Sequence, residues 1–216
     1  MSPTELSAWA CLKCLQAVLI FRIAQLRLFG KFPCFATYLI LSLFSSAVLF
    51  AVGQQRYDTG WIWLTPALLF ALMLTAFEAH WKIQQHCRPL QHPNIATAIM
   101  VGVSAFVAWI TLEAHAWTSR FKPAFFGIRY TAGVLAIWMM WHAAWAPRIE
   151  PPLPHNLLAH VRILAVLLFI QAGVFAVINL LSANPPYAPR ILLNVLNLGG
   201  QALCCCAWIL AFRRER

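Results

Sequence analysis

The sequence predicts an all-α fold, a polytopic membrane protein built as a bundle of seven transmembrane helices. Three observations carry this prediction. Apolar residues make up 62% of the chain and charged residues 10%, against about 25% charged in an ordinary soluble domain. Seven apolar stretches, each close to the roughly 20 residues that a bilayer crossing needs, follow one another with short polar breaks. Tryptophan, lysine and arginine gather at the ends of those stretches, where the membrane interface holds them.

The first span, Leu6–Leu26, follows Met1 to Glu5, which carries no basic segment and no small-residue cleavage site. It is therefore expected to be retained rather than removed as a signal. The second, Pro33–Gly53, opens after Gly30-Lys-Phe-Pro33, where glycine and proline punctuate a turn. A polar run from Gly53 to Gly60 separates it from the third, Trp61–Trp81. The connection around His86 to Asn94, the longest, leads to the fourth, Ala96–Ala116. The fifth, Ala124–Ala146, stops at the proline-rich stretch Pro147 to Pro154. Asn156–Ser182 is the sixth, and Arg190–Phe212 the seventh, with Asn184-Pro-Pro-Tyr-Ala-Pro189 between them. None of these connections is long enough for a separate fold, so residues 1–216 are expected to form a single transmembrane domain without a soluble one.

Seven crossings place the two ends on opposite sides. With the amino terminus outside, the inner side collects Arg22, Arg27, Lys31, Lys82, Arg88, Arg148, Arg162, Arg213, Arg214 and Arg216. Lys13, Arg56, Arg120, Lys122, Arg129 and Arg190 fall outside. The bias toward the inner side, strongest where span ends meet Arg27/Lys31 and the Arg213–Arg216 tail, favours amino terminus out and carboxyl terminus in. Trp61, Trp63 and Trp117 then lie at the outer interface and Trp81, Trp141 and Trp145 at the inner one. The net charge of +10 is spread over helix ends rather than drawn into a stripe, which excludes nucleic acid as a partner and fits anionic headgroups.

Lys13 lies seven residues inside the first span, roughly 10 Å from its end by helical rise. An ammonium at that depth faces a partner or water, and Glu113 in the fourth span is the acid at matching depth; the plainer reading is a lysine snorkelling to the headgroups. Glu78 stands one turn before Lys82, a spacing that supports an intrahelical pair, with Arg22 and Arg162 as other cations at that depth. In the last span Asn194, Asn197, Gln201 and Cys204 fall on one face and Gly199-Gly200 admits a close neighbour. That stripe reads as helix-to-helix hydrogen bonding, or else as a ligand or ion pathway.

Histidine and cysteine carry the cofactor possibilities. His80, His142 and His160 come out near the inner rim on three helices. Two facing imidazoles with apolar walls are what a membrane b-type haem takes, and His142, flanked by Trp138, Trp141 and Trp145, with His160 opposite is the pair expected. A divalent metal on the three histidines, with Glu78 near, is an alternative, and interfacial histidines that bind nothing are the plainer one. Cys11-Leu-Lys-Cys14 is a C-x-x-C in the outer half of the first span, a candidate thiol pair, although i and i+3 in a helix suit a disulfide poorly. Cys204-Cys-Cys206 reads as packing.

Several classes lack their residues. The last span has no lysine for a retinal Schiff base, and there is no P-loop, H-E-x-x-H or G-x-S-x-G. The run Arg27-Leu-Phe-Gly-Lys-Phe-Pro-Cys-Phe-Ala-Thr-Tyr38-Leu, a long apolar helix, and Glu78 at the end of the third span resemble a group of small uncharacterised bacterial seven-helix membrane proteins over about residues 22–90. The resemblance implies the fold and attaches no activity. The expectation is a non-enzymatic protein of the bacterial inner membrane, in contact with the lipid bilayer and another membrane protein. It would serve as an accessory subunit of a membrane complex or a small sensory or ligand-binding module. A redox protein, with haem at His142/His160 or thiols at Cys11/Cys14, and a small solute transporter using the Asn194–Gln201 stripe with Lys13 and Glu113 are the alternatives.

Overall fold

The computed structural model describes residues 3–52, 57–86, 122–145, 148–149, 152–180 and 187–214. Among the described residues there are six α-helices and no strand: α1 (Pro3–Gln25), α2 (Pro33–Val52), α3 (Tyr57–His86), α4 (Lys122–Trp145), α5 (His155–Leu180) and α6 (Tyr187–Ala211). The expected span Ala96–Ala116, with Glu113, lies outside the described residues. Among the described residues four segments suffice, by length and composition, to cross a membrane: Pro3–Gln25, Pro33–Ala51, His155–Val174 and Ile191–Ala211. The chain is a multi-pass membrane protein on that count.

Helix boundaries follow from cap chemistry. At the end of α1 the amide of Leu28 donates to Ile23 O (2.9 Å) and that of Arg27 to Ala24 O (3.0 Å), the paired bonds of a Schellman motif. Arg27 holds the left-handed position at φ 59°, a conformation glycine usually supplies, and Leu28 and Ile23 seal the motif from inside, both fully buried. The left-handed residue is therefore three positions before Gly30. α2 then starts at Pro33, whose missing N–H costs nothing in a first turn. α5 begins when the amide of Leu158 bonds Pro154 O at 3.0 Å.

The helices close into a ring, each packed on its sequence neighbour and α6 returning to α1, with α3 also touching α5. Contacts fix their directions. Phe77 meets Trp138 (5.2 Å between ring centroids) and His80 meets His142 (2.6 Å), so α3 and α4 run the same way. Consequently α1, α3, α4 and α6 end, and α2 and α5 begin, at one end of the bundle. That end carries Arg27, Lys31, Lys82, Arg148, Arg213 and Arg214 and is called here the basic rim. Trp81, Trp141 and Trp145 point outward close to it, as an interfacial belt does.

Outside and inside are inverted relative to a soluble fold. Phe21, Phe44, Phe70, Ile137, Phe169 and Leu210 face outward, one from each helix, while Glu5, Gln16, Ser42, Thr75, Glu78, His80, Asn156 and His160 are buried. Water would not tolerate so much continuous apolar surface; lipid requires it and forces polar groups to find partners within the bundle.

α5 and α6 approach closely at a single glycine. A Cβ on Gly200 would sit 2.8 Å from Ile170 Cγ2, whereas one on Gly199 meets nothing within 4 Å. Two outcomes follow. Gly200→Leu should lower stability in detergent unfolding by about 1–3 kcal/mol, with Ile170→Ala in the same chain recovering most of the loss. Arg27→Gly should raise stability by about 1 kcal/mol, because the left-handed conformation costs an L-residue that much.

Candidate functional site

Buried polar side chains gather near the basic rim, midway up the bundle and, with Glu5 and Asn194, toward the opposite end, and most of these contacts tie two helices. At the rim the first is a cap supplied from another helix. α2 opens with Phe32 at its cap position, which has no side-chain oxygen, and the next amides in need of an acceptor are those of Cys34 and Phe35. Glu78 on α3 takes them: its Oε2 accepts the Phe35 amide at 3.1 Å, and the Cys34 amide bonds the same carboxylate. Anionic charge is favourable at that end of a helix. Lys82, one turn on, lies with its ammonium 5.6 Å from the centre of the Phe32 ring, over the residue that opens α2. Arg162, the other candidate cation, is exposed on α5, and Arg22 is partly buried with its Nε lacking a protein partner.

A second rim cluster locks the end of α6 onto the start of α5. Asn156, fully buried, accepts the Arg213 amide at 2.9 Å and donates to the Arg213 carbonyl at 2.7 Å. His155 Nε2 reaches Ala211 O at 3.1 Å. The Ala211 carbonyl at the end of α6 and the Arg213 carbonyl just beyond it are thus satisfied by side chains of α5.

The three candidate cofactor histidines fall into two separate places. His80 Nδ1 and His142 Nε2 are 2.6 Å apart with rings nearly parallel, Trp138 against both, and Gln84 bonding the other nitrogen of His80. One imidazole donates and the other accepts, so the pair is a proton-sharing contact in this geometry. Two ring nitrogens on a tetrahedral metal with bonds of about 2.0–2.1 Å sit roughly 3.3 Å apart, so His80 and His142 would have to part by about 0.7 Å to admit one. His160 is elsewhere. It is fully buried in a box of Phe32, Phe35, Trp208 and Phe212, with ring centroids at 4.9, 4.7, 5.9 and 6.4 Å, and neither of its nitrogens has a protein partner. The expected facing of His142 and His160 is replaced by His142 facing His80, because His160 turns to the α2 and α6 side of α5, among Phe32, Phe35, Trp208 and Phe212. Among the described residues no group of three or more His, Cys, Asp or Glu has metal-holding geometry.

Midway up, Lys13 turns inward. Its ammonium donates to Gln16 Oε1 (3.0 Å) and to Ser42 Oγ (3.1 Å), and Ser42 also bonds Gln16 at 3.3 Å. The described partners of Lys13 are therefore neutral oxygens on α1 and α2, with the Cys205 thiol nearby; Glu113, its expected partner, lies outside the described residues. Further along, Asn194 donates to the buried Glu5 of α1 at 2.9 Å, and Gln201 donates to Asn197 within α6 at 3.2 Å. The stripe thus faces α1. Cys11 and Cys14 are free and exposed on the outer side of α1, and Cys204 and Cys205 are free and buried.

Sequence reading missed Glu5, Gln16, Ser42 and Asn156. Glu5 and Asn156 stand at helix starts, where cap preference is the available signal; Gln16 and Ser42 carry none beyond polarity inside an apolar run. Glu78→Ala is expected to destabilise the protein by about 0.5–2 kcal/mol in detergent unfolding, with Glu78→Gln in between because an amide oxygen still accepts. A double-mutant cycle of His80→Ala and His142→Ala should return a coupling of about 0.5–3 kcal/mol, whereas His80→Ala with His160→Ala should be additive. Comparison with known proteins finds no family model, no curated protein and no solved structure that matches this chain.

Proposed function

We propose that this chain is a non-enzymatic integral protein of the bacterial cytoplasmic membrane that acts as an accessory subunit of a membrane complex, or as a small sensory or ligand-binding bundle, through contact with another membrane protein. One observation carries the reading: most of the described polar side chains inside the bundle are engaged with one another or with backbone, with His160, Ser45, Trp208 Nε1 and Arg22 Nε the exceptions. Glu5 meets Asn194, Lys13 meets Gln16 and Ser42, Glu78 meets the α2 amides, and Asn156 meets Arg213. Groups held in this way fasten helices together. The outer wall, apolar on all six helices, is the surface left for lipid and for a partner.

Seven crossings with the amino terminus outside complete the proposal. Two neighbouring helices that run the same way support it. α3 reaches the basic rim at His86 and α4 begins at the opposite end with Lys122, which agrees with one further crossing between them, the span Ala96–Ala116 expected from the sequence. The basic rim then faces the cytosol in line with the charge bias.

Purification in mild detergent with identification of everything that comes along is the test. A stoichiometric membrane partner is expected. A lone, monodisperse monomer from native membranes would overturn the subunit reading, and a Soret band in the visible spectrum would replace it with the redox one. For the orientation, Arg214→Cys in a chain stripped of its other cysteines should resist an impermeant maleimide in intact cells and react after permeabilisation. Labelling from the periplasmic side would reverse the topology.

A further inference from the structure

At the basic rim a pocket of about 340 Å³ opens between the α1–α2 turn, the end of α3 and the start of α5. Its polar lining is Lys31, Lys82, Gln85 and His86, and its apolar wall is Phe32 and Leu157. The geometry points to a binding site for a phosphate group carried on an apolar tail, the headgroup of an anionic phospholipid. Charge, shape and position each lead there.

Two ammonium groups and an amide converge on the pocket. Glu78, the carboxylate one turn below Lys82, accepts the α2 amides and lies within electrostatic reach of Lys82, while Lys31 brings a second positive charge to the lining. Lys82 is already held over the wall by its contact with the Phe32 ring, and Leu157 belongs to the first turn of α5, whose positive dipole end favours an anion. His86 bonds Pro152 O at 3.1 Å, tying the end of α3 to the chain that leads into α5 and closing one side. The volume fits a glycerophosphate headgroup and is far too small for a folded peptide segment. Trp81, exposed beside Lys82, sets the pocket at the depth where headgroups lie, and Phe32 and Leu157 give the first methylenes of the tail an apolar contact. Basic pockets between transmembrane helices recognise lipid headgroups by this combination of point charges and apolar wall.

This inference rests on the membrane reading but not on the subunit reading, since a chain without a protein partner would still select its lipid. The experiment is native mass spectrometry of the full chain, released from nanodiscs containing phosphatidylglycerol and phosphatidylcholine in equal amounts, with inorganic phosphate titrated in a separate arm. The wild type should retain phosphatidylglycerol in preference. Lys31→Gln with Lys82→Gln should weaken that retention by roughly 25-fold, at about 1 kcal/mol for each lysine. Arg162→Gln, an exposed charge on α5, should leave it unchanged and serves as the folding control. Displacement by millimolar inorganic phosphate that depends on the same two lysines would identify free phosphate as the source of the same chemistry. Equal retention of both lipids, or a preference that survives loss of both lysines, would overturn the site.

Discussion

One carboxylate organises the basic rim. α2 begins with a phenylalanine where a serine or aspartate would ordinarily close the helix, and its first residue is a proline with no amide to offer. The amides of Cys34 and Phe35 still need an acceptor, and in an apolar surround an unmet amide costs the full desolvation penalty. Glu78 supplies it from another helix, which converts a local requirement of α2 into a constraint on where α3 stands. With the two helices pinned there, Phe32 and Phe35 are turned into the bundle toward His160, Trp208 and Phe212. Lys82 is left over Phe32, and the rim pocket opens beside it.

The other polar contacts obey the same logic. Lipid offers no alternative hydrogen bonds, so most buried polar groups select a neighbour that can complete them. Asn156 does this for the end of α6 and Glu5 for Asn194. Lys13 is the expensive case, an ammonium deep in a span, and two oxygens from two helices receive it. Such contacts are individually modest in membranes because the separated helices also find partners. Their value lies in register: they decide which faces of apolar helices meet, a choice that apolar surface alone leaves nearly degenerate.

Much of the helical layout was legible in the sequence because span length is set by bilayer thickness. Leu6–Leu26 and Asn156–Ser182 match α1 and α5 to within a few residues. α3 was read too short at both ends, since Lys82, Gln84, Gln85 and His86 leave the apolar window while the helix continues. The α1–α2 turn was placed at Gly30, whereas Arg27 carries the positive φ; composition points to glycine, but the Schellman bonds decide by position. The site was less legible. Depth suggests Glu113 as an acid for Lys13, and Glu113 lies outside the described residues; the contacts to Gln16 and Ser42 depend on rotation about the helix axis, which depth does not fix. For the histidines, which two face each other depends on how each helix is rotated: α4 neighbours both α3 and α5, and His160 is turned away from it toward Trp208 and Phe212.

His160 shows how far the medium changes the reckoning. A buried imidazole with both nitrogens lacking a protein partner costs a water-soluble protein about 1–3 kcal/mol relative to its hydrated unfolded chain. The reference for this chain is a helix already in lipid, where that ring has no water either, so much of the penalty is absent from the balance. What remains favours burial: four rings pack around it, and tilted aromatic contacts add about 0.5–1.5 kcal/mol each beyond area. His160 is therefore stable as an aromatic core residue in hydrocarbon, and the same ring in an aqueous fold would demand a partner. The chemistry of a residue inside this bundle follows from the solvent outside it.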